Sequence, residues 1–492
     1  MGRIKRKKPK QKKHREQPGG VRENGRQAPL DASDFEAALA HERNGALDRA
    51  AAGYERFLKN FPQDPNAWFN LGRVRMGQGD LDGAATAFGL ALAGRPQDPV
   101  CHATLGNVFH LQEKYDAALA CFHQARKLTP ELPGIDAAMA NTLHRMNRPQ
   151  AAIDALGRAV AADPSNPDLH HNLGHTLEKQ GRIEEAVAVF RRAETAFPKN
   201  HRISLSLGNL LFSHGQADEA ISALEKAIAL APHDTYALST LAHKLHKLGR
   251  LREATAAYAR MVAVNPDHPT AGHMLAALTG HQAEKAPTAY VKTTFDLMAE
   301  RFEDHLVDEL AYAAPALLRG VLDEAAGTAT RFDHTLDMGC GTGLSGLAFG
   351  DITQRLTGID LSPAMLAKAR EKGVYAELVE TDIVDFLDRA ETAFDLFIAV
   401  DVMVYLGNLE PVFAAVRRRA RPGAYWVFST ERCTTADFTL THSGRYAHSR
   451  RYIEHLASGQ GFGVALHRRD NLRREGENWV NGHLFVLRVS DP

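Results

Sequence analysis

Cysteine is scarce in this chain: Cys101, Cys121, Cys340 and Cys433 are the only four in 492 residues, and no two form a C-x-x-C pair. That pattern argues against a zinc or disulfide scaffold and suits a reducing compartment, so a cytoplasmic location is expected. No apolar run approaches the roughly 18 residues that a membrane helix needs, so no membrane is expected among the partners. Net charge is absent too, with 59 basic and 59 acidic side chains. The balance hides one asymmetry. Residues 1–15 hold nine Lys and Arg and no acid, which leaves a net of −9 over the remainder. Residues 1–30 are poor in apolar side chains and include Pro9, Pro18, Gly19 and Gly20, so they read as a disordered basic tail. No apolar core follows the basic stretch, which argues against a signal peptide. Weak contact of this tail with phosphates is the one nucleic-acid interaction expected.

What the chain has is a period. Pro62, Pro96, Pro130, Pro164, Pro198, Pro232 and Pro266 stand 34 residues apart, as do Ala50, Ala84, Ala118, Ala152, Ala186, Ala220 and Ala254. At about 5% proline, six further matches at one fixed step have chance odds of roughly one in a hundred million. Tyr54, Phe88, Phe122, Leu156, Phe190, Leu224 and Tyr258 keep the same step. Each unit reads as two short helices. The first carries Trp68, Leu71 and Gly72 in the second repeat, and the next runs from about Asp82 to Ala93. Ala84, Phe88 and Ala91 share one helical face. The proline ends the second helix, and Gly79, Gly181, Gly215 and Gly249 fall where a C-cap needs positive φ.

This pattern resembles the tetratricopeptide repeat, with seven 34-residue units over residues 31–269 and a degenerate first unit in which Ala38 stands at the glycine position. The resemblance implies an all-α solenoid. Its first helices carry one polar rung at 34-residue steps, formed by Arg73, Asn107, Asn141, His175, Asn209 and His243. These donors and acceptors suit a protein or peptide partner, and their spacing does not suit a metal.

From about Tyr290 the period is gone, and strand and helix patterns alternate as in a parallel α/β sheet. Residues 270–289 read as a linker or capping helix. A short apolar strand ends at Asp337, and Gly339, Gly341 and Gly343 then form a tight turn into a helix. Such a loop lets a ligand approach the backbone. A second strand ends at Asp360, where an acid suits the hydroxyls of a ribose. Gly341, Gly343 and Gly346 also satisfy the dinucleotide fingerprint. Asp337 weighs against that reading, because a carboxylate there repels a pyrophosphate and suits a cation. Asp382 and Ile383 close a third strand, and an acid beside an apolar residue fits an adenine edge.

Together, Asp337-x-Gly-x-Gly-x-Gly343, Gly358-Ile-Asp-Leu-Ser-Pro363 and Asp382-Ile383 resemble the class I S-adenosylmethionine-dependent methyltransferases over residues 290–492. The resemblance implies a Rossmann-like seven-stranded sheet with its last strand antiparallel. It also implies S-adenosyl-L-methionine as cofactor. The Gly339–Gly343 loop and Asp337 would cradle its methionine part. Asp360 would hold the ribose, with Leu361 also at the cofactor, and Asp382 and Ile383 would frame the adenine. Phe295 and Phe302 share a helical face and would close over the sulfonium by cation–π attraction. The whole chain is also similar to bacterial predicted methyltransferases with tetratricopeptide repeats.

The expected activity is methyl transfer, with the solenoid recruiting a protein substrate or partner. Two alternatives stay open: a non-catalytic scaffold that only binds the cofactor, and a small-molecule methyltransferase whose repeats mediate assembly. Should the acceptor need to lose a proton, Asp401, Tyr405 and His442 are the candidate catalytic groups, with Tyr446 and His448 near them. Val-Asp-Val-Met-Val-Tyr405 lacks the Asn/Asp-Pro-Pro-aromatic signature, which argues against amide or adenine amino groups as acceptor.

Overall fold

The structure is a computed structural model that describes residues 30–304, 312–475 and 478–490. Residues 1–29 of the expected basic tail lie outside the described residues. The chain divides into two compact units, Met1–Ser206 and Leu207–Pro492.

The first unit is built from helix pairs such as Pro65–Gly77 with Leu81–Gly94 and Pro99–Leu111 with Tyr115–Leu128. Local chemistry starts several of these helices. Asp64 accepts from the Ala67 N–H, Asp98 accepts from the Val100 and Cys101 N–H groups, and Pro65 and Pro99 take the first helical turn. At the turn between helices, Gly79 and Gly181 have φ of 81° and 71°. Glu113 (φ 61°) and Asn147 (φ 54°) occupy the same register without glycine's freedom. Within a pair the helices cross closely. A Cβ on Gly72 would stand 2.9 Å from the Phe88 ring, and one on Gly106 would stand 2.5 Å from Phe122. The first pair solves the same problem in reverse. Ala38 replaces the glycine, and Gly53 opposite it leaves the room, since a Cβ there would lie 2.7 Å from that of Ala38.

The second unit contains the helices Ala217–Leu230, Thr235–Lys247, Leu251–Val264 and Pro269–Thr279, followed by the sheet domain. Its strands are β1 (Phe332–Met338), β2 (Thr353–Asp360), β3 (Glu377–Glu380), β4 (Phe394–Ala399), β5 (Ala420–Arg432), β6 (Phe438–Leu440), β7 (Tyr446–His448), β8 (Phe462–Glu475) and β9 (Asn478–Val489). β3, β2, β1, β4 and β5 lie side by side in that order and run parallel. β9 runs antiparallel to both β5 and β8. The expectation of seven strands needs correction to nine among the described residues. The antiparallel strand is present as β9, and the addition is the β6–β7 hairpin. β7 pairs with Glu431 and Arg432 at the end of β5, beyond the last residue of β4. The hairpin therefore stands over the carboxyl ends of the strands, where doubly wound sheets bind their ligands.

The segment before the sheet is fastened across those same ends. The Glu284 carbonyl accepts from the Gly407 and Asn408 N–H groups, each at 2.8 Å, and the Ala286 N–H donates to the Tyr405 carbonyl at 2.9 Å. The helix Thr288–Met298 follows.

Candidate functional site

β1 and the helix Leu344–Phe349 are joined by the glycine loop, in which Gly339, Gly341 and Gly343 have φ of 71°, 53° and 92°. Two anchors hold the loop to β2. The Gly339 and Cys340 N–H groups donate to the Ile359 carbonyl, and the Gly341 N–H donates to Asp360 Oδ2 at 2.9 Å. Asp360 Oδ1 accepts from the Ser362 N–H at 2.9 Å, so this carboxylate fixes two turns at once. A Cβ on Gly339 would stand 2.0 Å from Val402 Cγ2. One on Gly341 would meet only Phe302, at 3.9 Å, so the loop there faces open space.

Asp337 lies fully buried beneath the loop. Its Oδ2 accepts from Ser345 Oγ at 2.5 Å and from the Tyr375 hydroxyl at 2.7 Å, while its Oδ1 has no hydrogen-bond partner. Burial pushes its pKa up to about 6; the two hydroxyl donors oppose the rise and nearby Asp360 adds to it. A buried acceptor without a donor is a destabilising arrangement that a ligand N–H would relieve.

A cleft of about 1780 Å³ opens above the loop. Gly339, Gly341, Asp360, Leu361, Asp382, Ile383, Phe302, Asp401, Tyr405 and His442 line it. Asp337 and Gly343 are buried and do not form part of the cleft wall. Asp382 Oδ1 accepts from the Val384 N–H and so caps the helix Ile383–Arg389; its Oδ2 is 3.7 Å from Lys285 Nζ. Phe295 and Phe302 meet edge to face at 5.7 Å, and Phe295 meets Tyr405 at 5.5 Å. The two phenylalanines do not share one continuous helix. The helix ends at Met298, and a tighter turn, Ala299–Arg301, carries the chain to Phe302.

The three candidate catalytic groups differ in setting. Asp401, at φ 57°, is 2.5 Å from Arg445 Nη2 and 3.6 Å from Arg473 Nη1. Both arginines also reach Glu431 at 2.8 Å. Tyr405 receives a hydrogen bond from Arg445 at 3.3 Å, and burial pushes its pKa upward. His442 is exposed on the β6–β7 loop, its ring 6.3 Å from that of His246. His448 is buried, with Nε2 near the Leu406 and Gly407 carbonyls, and Tyr446 packs in the core.

The polar rung falls in both units. Arg73, Asn107, Asn141 and His175 are exposed on successive first helices of the first unit. His175 pairs with Glu178 at 3.0 Å, and Arg73 with Glu42 at 2.9 Å. Asn209 and His243 belong to the second unit, where His243 lines the cleft.

Sequence reasoning missed Tyr375, Ser345, the Arg445–Arg473–Glu431 cluster and the contribution of Lys247 and His246 to the cleft. Serine at 345, inside the glycine motif, was the one local signal available.

A glycine loop between strand and helix, an acid closing the second strand and a cleft at the strand ends are the arrangement of a doubly wound domain at the place where such folds bind their ligands. Comparison with known proteins narrows the class. Residues 335–423 match the family model described as a methyltransferase domain. Residues 211–278 match a tetratricopeptide repeat, and residues 6–238 match the C-terminal domain of cilia and flagella-associated protein 70. A malonyl-[acyl-carrier protein] O-methyltransferase of Serratia marcescens is 31% identical over 120 residues, which is 24% of this chain and 47% of the relative. A trans-aconitate 2-methyltransferase of Paracidovorax citrulli is 36% identical over 125 residues, covering 25% and 44%. The chain thus spans just under half the length of these curated relatives. Among solved structures, YrrB, a tetratricopeptide protein with an unusual peptide-binding site, is 22% identical over 39% of this chain and 98% of its own, with a TM-score of 0.33. The chain therefore carries tetratricopeptide repeats joined to a methyltransferase domain. No described helix is long and apolar enough to cross a membrane.

Proposed function

We propose that this chain is an S-adenosylmethionine-dependent methyltransferase whose helical repeats recruit a protein substrate or partner. One observation carries the reading: a glycine loop, tied to β2 by Asp360, lies over a fully buried Asp337 that keeps one oxygen without a donor. An ammonium-bearing ligand supplies that donor and a compensating charge. A pyrophosphate would supply neither.

On this reading Asp337 and the Gly339–Gly343 loop hold the aminocarboxypropyl end. Asp360 and Leu361 hold the ribose, and Asp382 and Ile383 take the adenine. Phe302 and Phe295 provide an aromatic wall suited to a sulfonium. When bound, the cofactor supplies an already activated methyl group, so the protein's own task is alignment and exclusion of water. Asp401 is held by two arginines and Tyr405 is hydrogen-bonded by one of them. Their setting supports a positioning role at the cleft floor, which leaves His442 as the accessible titratable group.

Calorimetry tests the reading. S-adenosylmethionine and S-adenosylhomocysteine should bind, NAD should not, and Asp337→Asn should weaken both ligands. Binding of NAD without S-adenosylmethionine would refute it. Labelled cofactor mixed with cell extract then tests the recruitment half: transfer to a protein band is expected, and transfer only to small molecules would remove the solenoid's role in substrate choice.

A further inference from the structure

Gly343, Gly346 and Gly358 make room for a single tyrosine. Tyr375 lies in the connection between the helix Pro363–Glu371 and β3, and the Ala376 N–H that follows it donates to the Leu356 carbonyl of β2 at 2.8 Å. A Cβ on Gly346 would stand 2.5 Å from the Tyr375 hydroxyl oxygen, one on Gly358 2.8 Å from its ring, and one on Gly343 3.2 Å from it. Gly346 is the residue that completes the apparent dinucleotide fingerprint. Here its missing side chain admits Tyr375, so no pyrophosphate is needed to account for it.

The hydroxyl admitted in this way has work on both sides. It accepts from the Gly346 N–H at 3.1 Å and donates to Asp337 Oδ2 at 2.7 Å. Gly343 offers no side chain to cap the helix Leu344–Phe349, so Tyr375 supplies an acceptor that its first turn lacks. Ser345 donates to the same Asp337 oxygen at 2.5 Å, and Oδ1 is left as the acceptor without a donor. Hydrogen bonds to a carboxylate favour its charged form, here against the burial that disfavours it. Burial pushes the Tyr375 hydroxyl upward, so it stays a donor at neutral pH. The other titratable groups facing Asp337 are Asp360, which raises its pKa, and Cys340 and Tyr312, which burial keeps neutral. Tyr375 does not line the cleft, so its effect on a ligand passes through Asp337.

We propose that Tyr375, with Ser345 as its partner, is a positioning residue that fixes the Asp337 carboxylate by one oxygen and reserves the other for the ammonium group of the methyl donor. The ligand half rests on the methyltransferase reading; the coupling of the two hydroxyls to Asp337 does not.

Tyr375→Phe keeps the ring and removes the hydroxyl. Loss of one donor should move the titration of Asp337 up by about one unit. In calorimetry on the full chain, S-adenosylmethionine should then bind the variant about tenfold more weakly than wild type at pH 5, narrowing to about twofold at pH 7. Without ligand the trend reverses. The lost bond matters to the carboxylate more than to the protonated acid, so the gap in thermal midpoint between wild type and variant should widen by about 2–4 °C from pH 5 to pH 7.5. An Asp337→Asn background should abolish both trends. Ser345→Ala should show the same two trends and carries the test if Tyr375→Phe does not fold. A penalty that is equal at every pH, or trends that persist in the Asp337→Asn background, would overturn the proposal. A widening midpoint gap in a chain that takes up no S-adenosylmethionine would strike the methyltransferase reading alone and leave the coupling of Tyr375 to Asp337 standing.

Discussion

Cofactor affinity should depend on pH through Asp337. In the free protein its carboxyl titrates at about 6 against an ordinary 3.8, chiefly because burial disfavours the charged form. A cationic ligand beside the unpartnered Oδ1 favours the carboxylate and draws the pKa back toward its ordinary range. Full restoration corresponds to about 2 pKa units, or about 3 kcal/mol and roughly a hundredfold in affinity between the limits. Within reach of experiment, binding at pH 5 should be about tenfold weaker than at pH 7, because a proton must leave first. The ligand's own amino group titrates near 8, so the measurement stays at or below pH 7. Calorimetry in buffers of different ionisation heat should detect about half a proton released at pH 6. Asp337→Asn should bind more weakly and lose the pH dependence. The unliganded domain should show the opposite trend in stability. A native value above the unfolded one means the folded state holds the extra proton between pH 4 and 6, so stability falls as pH rises through that window, by up to about 3 kcal/mol. An affinity that stays flat from pH 5 to 7, with no proton released, would refute the placement of a cationic group at Asp337.

Three further outcomes follow from packing. Gly106→Ala should lower the melting temperature, since overpacking against the Phe122 ring costs about 1–3 kcal/mol and outweighs a helix-propensity gain of about 1 kcal/mol. Gly157→Ala, where nothing lies within 4 Å of the new Cβ, should raise it and serves as the control. Glu113→Gly should stabilise by about 0.5–1 kcal/mol, measured by urea denaturation, because φ of 61° strains a residue with a side chain. Asp401→Ala should destabilise by about 3 kcal/mol or more, since Arg445 and Arg473 would then share Glu431 alone; a role purely as a base would leave the thermal midpoint unmoved.

What the sequence revealed was whatever a local rule constrains. The 34-residue step repeats because each unit must present the same small residue to the same bulky one, as Gly72 does to Phe88 and Gly106 to Phe122. The glycine loop was legible because positive φ at Gly339, Gly341 and Gly343 demands glycine within five residues of chain. Long-range pairings carry no such mark. Tyr375 reaches Asp337 across 38 residues, and Arg445 reaches Asp401 across 44. The β6–β7 hairpin escaped notice because strands of three residues are too short to show alternation. Asp401 was legible as a candidate from its position just beyond β4, while the two arginines beside it, distant in sequence, were not.

The same hairpin gives the repeats and the cleft a shared part. The helix Pro269–Thr279 follows the last helix pair and buries Ala271, His273, Met274 and Ala277. His273 Nε2 lies 2.8 Å from the Gly444 carbonyl, and the Met274 sulfur would stand 2.7 Å from a Cβ on Gly444. Gly444 sits at φ 79°, so both its backbone conformation and its neighbour demand glycine. One residue later, Arg445 holds Asp401, Tyr405 and Glu431 at the cleft floor. Two residues earlier, His442 stands on the cleft wall beside His246. A displacement of the capping helix therefore cannot leave residues 442–445 in place, and His442, Ser443 and Arg445 among them line the cleft. Alignment is the chief task left to the protein when the methyl donor is already activated. On the proposed reading the junction is where attachment of the repeat array would bear on methyl transfer, and a free domain lacking Pro269–Thr279 would lose the support under Gly444.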